Sequence, residues 1–138
     1  MIGQFYIATD KSKMDLGYIH SYLSNTSYWA KGRSVENVKL SMDSSLCFGV
    51  FDQGDKQVGF ARLVTDWVVF GWIMDVFIDE HHRGEGLGKS LMDHILSYPG
   101  VKNINGIGLR TNDAHELYKK FGFAEIEDAE TWMLKRNS

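Results

Sequence analysis

The residues from Trp72 to Leu96 read WIMDVFIDEHHRGEGLGKSLMDHIL, and this stretch decides the fold of the 138-residue chain. It opens on an apolar run, Trp72–Ile78, interrupted only by Asp75, which predicts a buried β-strand. It closes on apolar residues at the spacing of one helix face: Leu87, Leu91, Met92, Ile95 and Leu96. Between strand and helix lie a polar link and three alternating glycines, so the stretch predicts a strand–loop–helix unit.

The glycine loop has the properties of an anion site. Its residues are Arg83-Gly84-Glu85-Gly86-Leu87-Gly88, directly before the helix. Glycines let the backbone turn tightly and let a ligand approach bare amides. The first amides of a helix have no intrahelical partner, and the helix dipole adds partial positive charge there. With Arg83 and Lys89 on either side, the loop is predicted to bind a phosphate or pyrophosphate.

A glycine-rich loop before a helix has three other interpretations. The dinucleotide fingerprint G-x-G-x-x-G is not met, because the glycines here alternate as G-x-G-x-G. The Walker A pattern is met only at its end, Gly88-Lys89-Ser90, since Arg83 stands where its first glycine belongs. A nucleotide hydrolase would require ATP binding that depends on Lys89, which we do not expect. The remaining alternative is a glycine-rich turn that binds no ligand.

The rest of the chain is typical of an α/β (α+β) fold. Helices are predicted after Ser12, Ser34, the glycine loop and Asp113, where capping residues precede apolar residues at helical spacing. Alternating or continuous apolar runs predict strands at 4–8, 46–51, 57–65, 72–78, 104–110, 123–126 and 131–134. The predicted architecture is a mixed, mostly antiparallel, twisted sheet of six to seven strands with about four helices.

Composition restricts the class of protein. The length, with 43% hydrophobic and 24% charged residues, predicts one globular domain over residues 1–138. The net charge of −3 favours no nucleic-acid partner, and no apolar run is long enough for a membrane span. With one cysteine, Cys47, and no signal-peptide pattern, we expect a cytoplasmic protein.

Two motifs resemble those of one enzyme family. Arg83-x-x-Gly86-x-Gly88 resembles the acetyl-CoA signature Q/R-x-x-G-x-G/A of the GCN5-related N-acetyltransferase (GNAT) superfamily. Downstream, residues 113–123 read DAHELYKKFGF and are similar to the family segment A-x-x-L-Y-x-x-x-G-F. Both lie in the family's order, and the predicted elements follow it too. The chain is therefore identified as a small, bacterial-type, single-domain member of this superfamily.

The resemblance implies roles for particular residues. Backbone groups of Val76, Phe77 and Ile78 would pair with the pantetheine arm, on a strand that a bulge splays from its neighbour. The pyrophosphate would be held by Arg83, Gly84, Glu85, Gly86, Leu87, Gly88 and Lys89. The asparagine with which the family often contacts the cofactor's pantetheine arm is Thr111 in this chain, and Asn112 beside it is the candidate for that contact. Tyr118 stands where the family has a general acid, which protonates the departing thiolate of coenzyme A.

The general base that deprotonates the acceptor amine is predicted from the residues themselves. A primary amine is mostly protonated near neutral pH, so a general base or a water relay must take its proton. Asp75 is the candidate base, being the ionisable residue of an apolar strand, and a salt bridge with Arg62 is its alternative role. Asp66 and Glu80 are weaker candidates for the base. In the family that the chain resembles, the connection between the first two helices borders the acceptor pocket, so the resemblance implies that Tyr28 and Trp29 stack on the acceptor. Ordinary packing of this loop against the sheet is the alternative.

These observations predict an N-acetyltransferase. It would transfer the acetyl group of acetyl-CoA, as co-substrate, to a primary amine of a small molecule or peptide by direct attack. A non-catalytic acyl-CoA-binding regulatory module is the alternative. No metal is expected, since His81-His82 has no third ligand at suitable spacing, and Cys47 is expected to pack in the core. Relatives often pair through their sheets, so the resemblance also allows a homodimer.

Overall fold

A computed structural model describes residues 4–137. The strands are β1 (Phe5–Ala8), β2 (Leu46–Asp52), β3 (Gln57–Thr65), β4 (Phe70–Ile78) and β5 (Gly106–Gly108). The α-helices are α1 (Leu16–Ser21), α2 (Val35–Asp43), α3 (Leu87–Ser97) and α4 (His115–Lys119). A π-helical turn, Tyr22–Thr26, continues α1, and short 3-10 turns occupy Lys11–Lys13, Glu80–His82, Val101–Asn103 and Ala129–Thr131.

Local chemistry explains where the helices begin. The Ser34 hydroxyl accepts a hydrogen bond from the Asn37 amide and caps α2, as predicted. The Asp15 carboxylate accepts from the Tyr18 amide and caps α1, so the cap is Asp15 rather than Ser12. α3 begins after Gly86, which has a φ of 80° and occupies the left-handed region that favours glycine. The glycine loop therefore leads directly into the first turn of α3.

The sheet has the order β1-β2-β3-β4-β5 and is mixed, mostly antiparallel. β1 to β4 pair antiparallel, whereas β4 and β5 run parallel. The parallel pairing covers only Phe70–Trp72 of β4, opposite Gly106–Gly108. Among the described residues no strand lies beside Ile73–Ile78 on this side, so β4 is splayed from its neighbour as predicted.

A bulge lies in the splayed part of β4. Phe60 pairs with Phe77 and Arg62 pairs with Met74, so Ala61 faces both Asp75 and Val76. Asp75 has a φ of 55°, in the left-handed region that non-glycine residues seldom adopt. The bulge therefore turns the Asp75 side chain out of the normal alternation of the strand.

Both faces of the sheet are buried. On one face α3 packs over a cluster that includes Phe48, Val50, Leu63, Ile73, Leu91, Met92 and Ile95. On the other face α1 and α2 pack over a cluster that includes Ile19, Leu23, Val38, Met42, Phe60 and Phe77. Phe77 of the splayed strand is thus anchored under α1, while Val76 and Ile78 pack towards α3.

The strand count was overestimated. The described residues form five strands instead of six to seven, and the segments 123–126 and 131–134 are not strands. Both the amide and the hydroxyl of Thr131 donate to the Asp128 carbonyl, closing a 3-10 turn where a strand was expected. Met133 and Leu134 are exposed, so their apolar side chains do not add to the core. The predicted strand 104–110 is likewise reduced to Gly106–Gly108.

Candidate active site

The glycine loop forms an open cradle at the start of α3. Gly84 and Gly86 have φ values of 85° and 80°. A Cβ atom built on Gly84, Gly86 or Gly88 would meet no atom within 4 Å, so the space above the loop is free. The first hydrogen bond of α3 runs from the Ser90 amide to the Gly86 carbonyl, which leaves the earlier amides available to a ligand. The loop therefore fits a pyrophosphate, with the exposed Lys89 beside it.

Helix α1 and the π-helical turn support this loop, which the sequence did not predict. Arg83 Nη2 donates to the Tyr22 hydroxyl at 2.8 Å, and the Tyr22 ring stacks on Phe77 with centroids 3.9 Å apart. The Tyr18 hydroxyl donates to Asp79 Oδ2 at 3.3 Å. Two tyrosines four residues apart thus contact both ends of the link between β4 and α3. Glu85 contacts His82 Nδ1 at 3.1 Å.

The splayed half of β4 provides a second binding surface. Phe77 and Ile78 pair with β3 on one side, Val76 lies in the bulge, and none of the three faces a described strand on the other side. An extended chain carrying amides could hydrogen-bond there as an added strand would. The predicted pantetheine residues therefore lie at an open strand edge that continues, through residues 79–82, into the glycine loop.

Tyr118 lies on α4 with its ring packed and its hydroxyl open. The ring packs against the cluster under α3 and meets Phe123 edge-to-face at 6.0 Å. Within residues 4–137 the hydroxyl makes no hydrogen bond, yet no buried side-chain oxygen or nitrogen there lacks a partner. The hydroxyl must therefore be reached by solvent. Burial raises the pKa of Tyr118, with smaller contributions from Tyr28 and Asp113, so the phenol stays protonated.

A cavity of about 890 Å³ lies between β5, α4 and the C-terminal segment. Tyr118, Asn112 and Trp72 are among the residues that line it, whereas Arg83 to Lys89 are not. Asn112 is exposed, while the Thr111 hydroxyl accepts from the Ala114 amide and shapes the start of α4. The predicted cofactor residues therefore fall into three groups, the glycine loop, the open edge of β4 and the wall of this cavity.

Asp75 is buried in an ion-pair cluster. Its Oδ2 accepts from Arg62 Nε at 2.6 Å and from Arg33 Nη1 at 2.8 Å, and its side chain is 1% exposed. Burial raises the pKa of this carboxyl, but the hydrogen bonds and charges of Arg33 and Arg62 outweigh it and leave the pKa below its usual value. These contacts correspond to the alternative role, the salt bridge with Arg62, and a shielded carboxylate of low basicity is ill suited to act as a base.

The connection at residues 27–33, here called the acceptor loop, approaches the cluster. Trp29 Nε1 donates to Asp75 Oδ1 at 3.1 Å, and Tyr28 meets the Trp29 ring edge-to-face at 5.0 Å. Tyr28 is 58% exposed and Trp29 41% exposed, so both rings offer surface to a ligand. Tyr28 also makes a small electrostatic contribution to the raised pKa of Tyr118 on α4.

The other candidate groups have structural partners. Asp66 Oδ1 accepts from the amides of Val68, Val69 and Phe70 and closes the β3–β4 turn. Cys47 is buried, and burial raises the pKa of its thiol to about 11. Across the described range 4–137 no three His, Cys, Asp or Glu side chains form a cluster suited to a metal ion. Over the same range no helix has the length and apolar character needed to cross a bilayer.

Comparison with known proteins agrees with this geometry. Residues 43–125 match the family model of the acetyltransferase (GNAT) domain. A solved structure of a putative GNAT acetyltransferase from Xanthomonas campestris is 37% identical, with a TM-score of 0.93, and the similarity covers 96% of this chain and 93% of that one. The peptidyl-lysine N-acetyltransferase YjaB of Salmonella typhimurium is 36% identical over 117 residues, covering 79% of this chain and 72% of the relative.

More distant relatives carry related descriptions. A putative acetyltransferase of Gibberella zeae is 26% identical over 137 residues, covering 86% of this chain and 77% of the relative. Some relatives are longer, and the chain spans about half the length of two uncharacterized N-acetyltransferases, from Methanocaldococcus jannaschii and Prochlorococcus marinus. The family match, the fold and the glycine loop agree: this chain is an acetyl-transferring enzyme that belongs to the GCN5-related N-acetyltransferase (GNAT) superfamily.

Proposed function

We propose that this chain transfers the acetyl group of acetyl-CoA to a primary amine of a small molecule or a peptide, by direct attack and with Tyr118 as general acid. The observation that carries the proposal is the state of Tyr118, whose ring is packed while its hydroxyl is open and unbonded to any described residue. A tyrosine needed only for packing would gain stability from a hydrogen-bond partner for its hydroxyl. An open phenol at a cavity wall is instead available to a ligand.

Tyr118 supplies the proton for the leaving group. Its pKa is raised by burial, so the phenol is protonated at neutral pH. A thiolate with a pKa of about 8.5 takes a proton readily at that pH. Asn112 lies on the same cavity wall and is a candidate to hold the pantetheine arm.

The carbonyl and the amine need two further groups. A backbone amide on the free edge of β4, among Val76, Phe77 and Ile78, can donate to the thioester carbonyl as its charge develops. The amine proton passes to water rather than to Asp75, whose oxygens are already held by Arg62, Arg33 and Trp29. The base is therefore a water relay.

The class of acceptor follows from the acceptor loop and from one relative. Tyr28 and Trp29 expose aromatic surface, which suits the carbon chain or the cationic end of an amine. The relative from Salmonella typhimurium is described as a peptidyl-lysine N-acetyltransferase, which makes a lysine side chain in a peptide the first acceptor to test.

Free Cys47 supports a cytoplasmic location.

The test is release of free coenzyme A thiol from acetyl-CoA over a panel of amines. The panel contains a lysine-bearing peptide, the same peptide with its lysine ε-amine blocked, free lysine, an aminosugar and a polyamine. We expect one amine class to raise the rate well above hydrolysis, and mass spectrometry of the product to show one added acetyl group. If acetyl-CoA binds tightly but no amine raises the rate, amine acetylation is refuted and the chain is a cofactor-binding module.

A further inference from the structure

Three hydrogen bonds tie the acceptor loop and β3 to the bulge of β4, and all three end on Asp75. Trp29 Nε1 binds Oδ1 at 3.1 Å, while Arg33 Nη1 and Arg62 Nε bind Oδ2 at 2.8 and 2.6 Å. Trp29 and Arg33 lie on either side of the loop segment 30–32, so two points of the loop are attached to one carboxylate. Arg62 Nη1 also donates to the Ser45 hydroxyl, which anchors the cluster to the start of β2.

The cluster is enclosed and fully paired. The side chains of Asp75 and Arg62 are 1% and 8% exposed, and that of Arg33 is 22% exposed. No buried polar side-chain atom in residues 4–137 lacks a partner. Removal of the carboxylate charge would leave two guanidinium groups without their counter-ion in a place that water barely reaches. Asp75 is therefore the group on which the position of the loop depends.

The cluster also lies at the point where the sheet opens. Asp75 is the residue with positive φ in the bulge of β4, and it lies directly before Val76 within the free strand edge Ile73–Ile78. Tyr28, the residue before Trp29, packs edge-to-face on the Trp29 ring, so its position depends on the same contacts. One carboxylate thus connects the strand that would hold the cofactor with the loop that would hold the amine.

We propose that Asp75 is a positioning residue, which locks the acceptor loop to the β4 bulge and so sets the place of Tyr28 and Trp29 for the amine. The proposal rests on the proposed function for its kinetic consequences, whereas the attachment of the loop stands on the contacts alone. It gives Asp75 a role distinct from that of a general base, and it adds Arg33 and Arg62 to the residues that determine acceptor binding.

The first test needs no acceptor. Trypsin can cleave after Lys31, which is exposed and lies within the loop. We expect trypsin to cut the purified Asp75→Asn protein at the 31–32 bond about tenfold faster than wild type. The reason is that the charge-assisted hydrogen bonds to the carboxylate are weakened, so the loop opens more often. Asp43→Asn is the matched control, because Asp43 is half exposed and pairs only with Lys39 at the end of α2. A wild-type cleavage rate in folded Asp75→Asn would overturn the proposal.

The second test separates a positioning residue from a base. With the best amine of the panel, we expect Asp75→Asn and Trp29→Phe to raise the KM for the amine by about fivefold or more and to leave the KM for acetyl-CoA unchanged. The pH profile of kcat should keep its shape in both. If Asp75→Asn instead abolishes kcat and removes the acid limb while the loop stays protected, Asp75 is the base and the proposal is wrong.

Milder variants protect the test against misfolding. Trp29→Phe keeps an aromatic side chain but lacks the Nε1 donor and the second ring of the indole, so it should fold, and it should expose the 31–32 bond in the same direction as Asp75→Asn. Wild-type protection in Trp29→Phe would contradict the proposal even if Asp75→Asn does not fold. Should wild type acetylate no amine, the proposed function fails, while the protease result still decides whether Asp75 holds the loop.

Discussion

The Tyr22 hydroxyl accepts a hydrogen bond of 2.8 Å from Arg83 Nη2, which connects the π-helical turn after α1 to the first residue of the glycine loop. The two residues are 61 positions apart in the chain. The Tyr22 ring is held in turn by stacking on Phe77, so the hydroxyl occupies a defined place. Arg83 is exposed, and this contact restricts a side chain that would otherwise sample many rotamers. The contact therefore prepares the guanidinium for a pyrophosphate.

Loss of the Tyr22 hydroxyl should weaken acetyl-CoA through its pyrophosphate. We expect Tyr22→Phe to raise the Kd of acetyl-CoA by about threefold to tenfold, because Arg83 loses a partner worth about 1 kcal/mol. Affinity for acetyl-pantetheine, which has no pyrophosphate, should not change. Calorimetry with both ligands measures the difference. Tyr6→Phe is the control, since the Tyr6 hydroxyl on β1 also makes one side-chain hydrogen bond, which it donates to Asp55 and not to a residue of the glycine loop.

A double mutant checks that the effect passes through Arg83. In an Arg83→Met background, Tyr22→Phe should have little further effect on the Kd. Equal effects of Tyr22→Phe in both backgrounds would mean that the hydroxyl acts on some other group.

The glycines of the cradle should respond differently to alanine. Gly86 has a φ of 80°, whereas Gly88 lies within α3, and an added Cβ meets no atom at either position. We expect Gly86→Ala to lower the free energy of unfolding by about 1–2 kcal/mol through backbone strain. Gly88→Ala should raise it by about 0.5–1 kcal/mol through helix propensity. Urea denaturation of both variants measures the effects, and equal signs would contradict this account of the loop.

Acid unfolding should report the ion pairs of Asp75. The folded-state pKa of this carboxyl is lowered, so its stabilising contribution is present above the unfolded pKa of about 3.9 and is lost as pH falls through the lower folded value. We expect Asp75→Asn to lower the free energy of unfolding by about 3 kcal/mol near neutral pH. The difference in the free energy of unfolding between wild type and Asp75→Asn should become smaller below about pH 4. Urea titrations from neutral pH to below about pH 4 measure this difference, with Asp43→Asn as control. A difference in the free energy of unfolding that does not change with pH would contradict the prediction.

The sequence predicted what local chemistry decides. Ser34 caps α2 because an N-cap serine acts on an amide three residues away, and both partners are visible in the sequence. The start of a helix directly after the glycine loop and the strand Gln57–Thr65 were predicted correctly for the same reason. Asp113 and Glu116 have the spacing of a capping box, which predicts that Asp113 caps α4. This prediction is wrong, because the Thr111 hydroxyl accepts from the Ala114 amide and α4 begins only at His115.

What the sequence did not predict depends on residues far apart in the chain. Arg33 and Asp75 are 42 positions apart, and neither has a local pattern that indicates the other. Asp75 therefore looked like a lone carboxylate in an apolar strand, which is also the signature of a catalytic base. The apolar alternation at 131–134 resembled a strand, but pairing needs a neighbouring edge, and the hydrogen bonds from Thr131 to Asp128 close a turn instead.

Removal of the Tyr118 hydroxyl should slow the chemical step without loss of cofactor affinity. We expect Tyr118→Phe to lower kcat by about 10²-fold, the usual contribution of a general acid, and to leave the Kd of acetyl-CoA within about twofold. Burial raises the pKa of Tyr118 above 10, so the protonated form persists to a higher pH than in a free phenol. The ratio of wild-type to variant kcat should therefore stay constant up to about pH 10. Stopped assays of thiol release from about pH 7 to 10, with Tyr6→Phe as control, measure this ratio. A kcat of Tyr118→Phe equal to that of wild type would exclude Tyr118 as the acid. A decrease of the kcat ratio already at pH values well under about 10 would mean that the phenol ionises more easily than its burial predicts.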